Sequence, residues 1–298
     1  MSIKVVCFGE VLWDVFPDEE RIGGAPLNVA SRLSASGIET GIISKVGADE
    51  KGKNAIAFLK KQGVDTSLIT QDPEHSTGMV LVTLNNQGSA SYEIAYPAAW
   101  DKIELKPEMK KAVKNADAFI FGSLVCRDEV SRNTLFSLLE EDGYKIFDVN
   151  LRPPHYQSAI LEHLMHKANF IKFNDDELFE IAAEVGSPYN SLEQNLHFIA
   201  EKTNTPTICV TKGRHGAVLL RDNKLYYNSG YQIKVKDTVG AGDSFLASLI
   251  SGLLKKEEPQ KALDYACAIG ALVAGQEGAN PELKEDEVRK FMNPGEKV

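Results

Sequence analysis

In "KDTVGAGDSFLASLI", Lys236 to Ile250, the small residues Gly240, Ala241 and Gly242 precede Asp243 at the junction of a polar segment and an apolar run. Phe245, Leu246, Leu249, Ile250, Leu253 and Leu254 recur at helical spacing, which predicts a helix beginning at or near Gly242. The glycines permit a tight turn and a close backbone approach. The first amides of such a helix have no intrahelical partner, and with the helix dipole they favour an anion against the turn. Asp243 falls in that first turn, where its carboxylate is stabilised and can accept a proton from a group bound nearby. Asp is also a common helix cap, so these letters alone leave catalysis and capping equally open.

A second glycine motif is "RIGGAPLNVASRLSASG", Arg21 to Gly37. Gly23 and Gly24 precede Pro26, which suits the first position of a helix, and Asn28 then lies within its first turn. No Gly-Lys-Ser or Gly-Lys-Thr follows, which excludes a Walker-type phosphate loop, and the G-x-G-x-x-G spacing of a dinucleotide site is absent. An uncharged amide at a glycine-opened turn suits a neutral polyhydroxyl ligand better than a phosphate. Asp14, in "GEVLWDVF", supplies a second acceptor for sugar hydroxyls.

These residues need a frame. The runs "IKVVCFGE", "ETGIISKVG", "ADAFIFGSL", "YKIFDVNLR", "ANFIKFN" and "PTICVTKG" read as buried parallel strands. Between them, Asn54 to Gln62, Asp128 to Glu140 and Leu192 to Lys202 carry apolar residues at helical spacing. Alternating strands and helices predict an α/β fold with a doubly wound, mostly parallel central sheet flanked by helices. A different texture marks Ser76 to Asp101, where two strand-like runs flank Asn85, Asn86, Gln87 and Gly88, a hairpin signal. With residues 10 to 23 it predicts a small β-structured lid on a single domain spanning 1–298.

Composition bounds the function. The apolar share of 43%, charged share of 25% and aromatic share of 8% are those of a globular chain. No apolar run reaches bilayer-spanning length, and the N-terminus lacks the pattern of a signal peptide, so no membrane partner and a cytoplasmic location are expected. A formal charge of −9 argues against nucleic acid. Cys7, Cys126, Cys209 and Cys267 are dispersed without a C-x-x-C pair and read as small core residues. His163 and His166 stand three apart in "LEHLMHKA" without a carboxylate ligand pattern and read as an exposed helix face.

The glycine pair leading to Asn28, together with D-T-x-G-A-G-D in the C-terminal third, resembles the ribokinase (PfkB-type) family of carbohydrate kinases across nearly the whole chain. "IGGAPLNVA" is most similar to the fructokinase branch, and "DTVGAGDSF" matches the family's second signature without a gap. "FDVNLRPPHY" resembles the D-x-N-x-R motif of fructokinases, "FNDDELFEI" the N-x-x-E motif, and "VTKGRHGAVLL" the nucleotide-binding strand and turn. The resemblance implies ATP and Mg²⁺ as cofactors and a small sugar as substrate.

It also implies roles. Asp243 is the base, and the amides of Gly240, Ala241, Gly242 and Asp243 stabilise the transferring phosphoryl group. Asn174 and Glu177 organise Mg²⁺, largely through water; Asp14, Gly24 and Asn28 hold the sugar, with Asn150 and Arg152 nearby. Thr211, Lys212, Gly213, Gly216, Gly278 and Asn280 line the adenosine site. Asp237 and Thr238 resemble the start of a monovalent-cation loop, implying K⁺. The negative net charge is no obstacle, because ATP arrives with Mg²⁺ and meets amides, Lys212 and Arg152 locally. Asp175 and Asp176 read as solvated helix-start carboxylates.

Two departures concern the sugar. Fructokinases often carry Gly-Glu-Arg after the lid turn, where this chain has "QGSASYEI", and "NLRPPHY" ends in His155 and Tyr156 where many relatives have an aliphatic residue and Trp. The leading expectation is phosphorylation of D-fructose at O6. A kinase of 2-keto-3-deoxygluconate or ribose is the alternative that the altered lid keeps open. A non-catalytic sugar-binding regulator would be marked by loss of Asp243 or a broken glycine turn, and both are intact. Exposed lid edges also make a homodimer through the lid an expectation.

Overall fold

The computed structural model describes residues 2–84 and 90–295. They form two compact units, Met1–Gly143 and Tyr144–Val298. The first runs β1 (Lys4–Phe8), β2 (Leu12–Val15), β3 (Glu20–Gly23), α1 (Ala25–Ala35), β4 (Glu39–Gly47), α2 (Glu50–Lys61), β5 (Ile69–Asp72), β6 (Gly78–Leu84), β7 (Ala90–Ile94), α3 (Pro107–Lys114), β8 (Ala118–Gly122) and α4 (Glu129–Leu139). The second runs β9 (Lys145–Asp148), α5 (Ser158–Lys167), β10 (Phe170–Asn174), α6 (Asp175–Glu184), α7 (Leu192–Thr203), β11 (Thr207–Thr211), β12 (Ala217–Arg221), β13 (Lys224–Asn228), α8 (Ala241–Leu254), α9 (Pro259–Ala274) and α10 (Glu285–Met292).

In the first unit β8, β1, β4 and β5 lie side by side and parallel, with Val5 opposite Ala118, Lys4 opposite Glu39 and Ser44 opposite Ile69. β1 and β8, inside the sheet, are apolar almost throughout, as strands of a parallel sheet covered on both faces are, whereas the edge strand β5 is mostly polar. Phe8, Phe119 and Phe121 stack in the interior, with centroids 6.3 and 5.7 Å apart in sequence along the trio. A second sheet has the order β3, β2, β6, β7. β2 runs antiparallel to β3 and parallel to β6, and β6 runs antiparallel to β7. The two segments read as lid strands therefore share one sheet; the turn at Asn85 to Gly88 and the first three residues of "QGSASYEI" lie outside the described residues, and its last five form β7.

The base of that sheet is held by charge. The Arg127 guanidinium, buried with Asp101, donates to both its carboxylate oxygens at 2.8 Å and to the carbonyl of Ala95 at 2.6 Å. It also lies 4.0 Å over the ring of the fully buried Trp100. Asp128 accepts from Lys102 Nζ at 2.7 Å and Tyr96 Oη at 2.9 Å, so the chain leaving β7 is fastened to the start of α4.

In the second unit β9, β10 and β11 are parallel and β12 and β13 complete the sheet antiparallel. Phe147, Phe170 and Phe173 are fully buried, and α8 packs along α9. All four cysteines are buried, and burial pushes the thiols of Cys126 and Cys267 up to about 12. His166 is exposed on α5 as expected, but His163 is half-buried rather than on the exposed face, and among the described residues no group of three or more His, Cys, Asp or Glu is placed to hold a metal ion. No described helix is long and apolar enough to cross a membrane.

Candidate active site

In the second unit the candidate residues gather at the C-terminal ends of β9, β10 and β11 and at the start of α8. Gly240 is the N-cap of α8 in the left-handed conformation, φ 74°. Glycine is required there for a second reason, since a Cβ would lie 2.5 Å from Ala279. That contact seats Gly278 to Asn280 against the helix start. Asp237 fastens the approach, accepting from the amide of Val239 at 3.0 Å and that of Gly278 at 3.2 Å, and the carbonyl of Thr238 accepts from Ala241 N at 3.3 Å. Asp243 stands three positions into the helix, partly buried.

Asn174 and Glu177 are the N-cap and third residue of α6 and form a reciprocal capping box. Asn174 Oδ1 accepts from Glu177 N, and Glu177 Oε2 accepts from Asn174 N, both at 2.8 Å. Glu177 Oε1 also accepts from Leu151 N at 2.9 Å. One carboxylate thus joins the end of β10 to the segment carrying Asn150 and Arg152. Asn150 makes the turn there in a left-handed conformation, φ 39°, which Asn tolerates better than most residues. Arg152 is exposed and donates to the carbonyl of Leu151 at 2.9 Å.

Thr211 ends β11 directly opposite Asn174 in the parallel register. Lys212 and Gly216 close the turn that follows, through an amide-to-carbonyl bond of 2.7 Å. Gly216 has φ 78°, and a side chain there would collide with the carbonyl of Asn228. Gly213, φ 53°, and Gly278, φ 78°, face open space.

The first unit carries the other candidates. Gly24 is the N-cap of α1 with φ 110°, and a Cβ on it would come within 2.5 Å of the Glu10 carbonyl. Asn28 is buried in the helix's first turn. The Asp14 carboxylate stands over Gly23, where a Cβ would lie 2.6 Å from its Oδ2.

Residues 2–286 match the sequence profile of the pfkB family carbohydrate kinases. The chain belongs to that family. It is 28% identical to a fructokinase of Salmonella typhimurium over 98% of this chain and 100% of that protein. The crystal structure of a fructokinase from Vibrio cholerae O395, with fructose, ADP and calcium ion bound, is 25% identical and has a TM-score of 0.83, covering 98% of this chain and 99% of that one. An uncharacterized sugar kinase from Pyrococcus horikoshii in complex with ATP is 27% identical with a TM-score of 0.80, covering 96% and 99%. The fold is the ribokinase-like α/β fold, and the chain is a carbohydrate kinase.

Sequence reading missed one charged group of this kinase. Lys172 lies in the middle of β10 in register with Asp148 on β9, and its Nζ donates to Asp148 Oδ1 at 2.9 Å with both side chains at least nine-tenths buried. Burial pushes the ammonium toward neutrality, but Asp148, Glu177 and Asp243 outweigh it and hold its pKa above the ordinary lysine value. Burial raises the pKa of Glu177, against the pull of Lys172. The signal in the sequence was a lysine inside "FIKF": a buried parallel strand has no place for an ammonium unless it is paired.

Proposed function

We propose that this kinase transfers the γ-phosphoryl group of ATP to the primary hydroxyl of a free sugar, D-fructose, giving fructose 6-phosphate and ADP. The observation that carries the reading is the opening of α8, where a left-handed Gly240 caps the helix and Asp243 stands in the first turn. In the reaction the sugar O6 attacks the γ-phosphorus, the bond to the β–γ bridging oxygen breaks, and ADP leaves. Asp243 accepts the hydroxyl proton, and the amides of Gly240 to Asp243 face the charge on the phosphoryl oxygens. Phosphoryl transfer depends more on positioning and charge stabilisation than on a strong base, so an ordinary carboxylate suffices.

Asp14, Gly24 and Asn28 hold the sugar hydroxyls, assisted by Asn150 and Arg152, and the sheet of β2, β3, β6 and β7 acts as the lid on this single catalytic domain. Thr211, Lys212, Gly213, Gly216, Gly278 and Asn280 receive the nucleotide. Mg²⁺ fits the polar ends of β10 and α6: Asn174 and Glu177 spend their side chains on backbone amides, which suits an ion that keeps its own waters and arrives on phosphate rather than in a protein cage. When bound, it neutralises the phosphate charge. Asp237 accepts from the amides of Val239 and Gly278, and the loop it shares with Thr238, which resembles the family's monovalent-cation loop, is where K⁺ would bind. The end strands β3 and β7 offer edges through which a homodimer would form.

The fructose assignment rests on the "GGAPLNVA" form and on the similarity to fructokinases. ADP release measured across fructose, ribose, 2-keto-3-deoxygluconate, adenosine and fructose 6-phosphate tests it. The expected result is the highest kcat/KM on fructose. Best activity on another member of the panel removes the specificity claim, and silence on all of them removes the sugar kinase reading.

A further inference from the structure

Beneath the opening of α8 sits a charge that the reaction described above does not use. Among the described residues, and leaving aside Ala241, Asp243 and the helix's own backbone, Lys172 Nζ is the one heavy atom within 4 Å of the place where a Gly242 side chain would begin, at 3.5 Å. The ammonium therefore faces the ground that Gly242 leaves clear, one residue before Asp243. This is an unfavourable position for a cation on two counts. The helix dipole repels positive charge at an N-terminus, and taking an ammonium out of water is unfavourable unless it is paired.

The pairing on Asp148 does not account for it as a stabilising device. Asp148 is 4% exposed, and its Oδ2 has no hydrogen-bond partner among the described residues, so the ion pair is buried with half its carboxylate unsatisfied. A well-packed apolar pair would serve stability as well or better. An ammonium has three N–H donors, and Asp148 Oδ1 takes one. Asp148 thus anchors the group and aims it, while the other donors remain for an anion that the helix amides also attract.

We propose that Lys172 is a catalytic residue of this kinase, its ammonium meeting the transferring phosphoryl group over Gly242 while Asp148 acts as its positioning residue. This rests on the phosphotransfer reading above. The lysine keeps its proton throughout and donates hydrogen bonds to phosphoryl oxygens as they gain charge, so it adds to the amides of α8 a full positive charge in a water-poor setting.

The test compares wild type with Lys172→Met, Lys172→Arg and the double variant Lys172→Met/Asp148→Asn, which removes both buried charges and so leaves no orphaned carboxylate. Thermal melting checks the fold of each. Steady-state kinetics on the best sugar should show kcat of the double variant lowered by about 10²- to 10³-fold, the loss typical of removing one donor to a developing oxyanion, with sugar KM changed far less. Lys172→Arg should recover at least about tenfold over Lys172→Met, since the charge is kept. A folded double variant within about threefold of wild-type kcat overturns the proposal, because Lys172 would then only neutralise Asp148. The ratio of affinities for ADP and for a non-hydrolysable ATP analogue is measured in parallel. If wild type phosphorylates none of the sugars, the sugar assignment fails, and this ratio still decides Lys172: the double variant should lose preference for the γ-phosphate, and an unchanged ratio overturns the role.

Discussion

Asp243 and Gly240 divide the work of one helix turn. Gly240 makes the N-cap with its backbone alone, without a side-chain cap bond, and the third position of the helix is the carboxylate of Asp243. If Asp243 takes the proton of the sugar hydroxyl, Asp243→Asn should lower kcat by about 10²- to 10⁴-fold, the usual worth of general-base assistance, while the melting temperature stays close to that of wild type. Near-full turnover with lowered stability would reduce Asp243 to a dipole-compensating residue. The helix start that carries them was legible, because small residues followed by apolar residues at helical spacing mark a helix N-terminus. Lys172 and Arg127 were not: their partners Asp148 and Asp101 lie 24 and 26 residues away, and strand register or a loop contact, not spacing, brings each pair together.

At the scale of elements, the strands that position the site were readable because buried parallel strands leave apolar runs, and Glu39–Gly47 coincides with the run "ETGIISKVG". The parallel pairing of β2 with β6 was not readable, since no periodicity records which distant strand a segment joins. That pairing bears on function. β3 and β7 are the ends of a four-stranded sheet, so their outer backbone groups have no strand beyond them within the unit, and such edges open more readily than central strands. A sheet acting as a lid should exchange backbone amide hydrogens more slowly in β6 and β7 when fructose is bound than when it is absent. Equal protection in both states, at saturating sugar, would contradict the lid.

At the scale of the molecule, the shifted carboxyls of the two units contribute to stability in acid with opposite signs. In the first, burial alone would raise the carboxyl pKa values of Asp49, Asp72 and Asp128, but hydrogen bonds outweigh it: from Thr77 and Gly52 to Asp49, from Lys45 and the amides of Glu74 and His75 to Asp72, and from Lys102, Val130 and Tyr96 to Asp128. All three are held below the ordinary value, Asp72 far below it. Their stabilisation is present above the unfolded Asp value of about 3.9 and is lost as pH falls through the lower folded values. In the second unit the folded Glu177 carboxyl is raised by burial, so its contribution has the other sign: it favours the folded state below the unfolded Glu value of about 4.3, and that advantage disappears as pH rises through the folded value. Both tryptophans, Trp13 and Trp100, belong to the first unit, and Arg127 lies over the Trp100 ring. Tryptophan fluorescence therefore follows that unit, whereas far-ultraviolet circular dichroism follows both. Between about pH 5 and pH 2 the fluorescence-detected melting temperature should fall further than the midpoint of the remaining dichroism change, splitting one transition into two. Coincident transitions by both probes throughout that range would mean that the carboxylates of the first unit do not govern its loss of structure in acid.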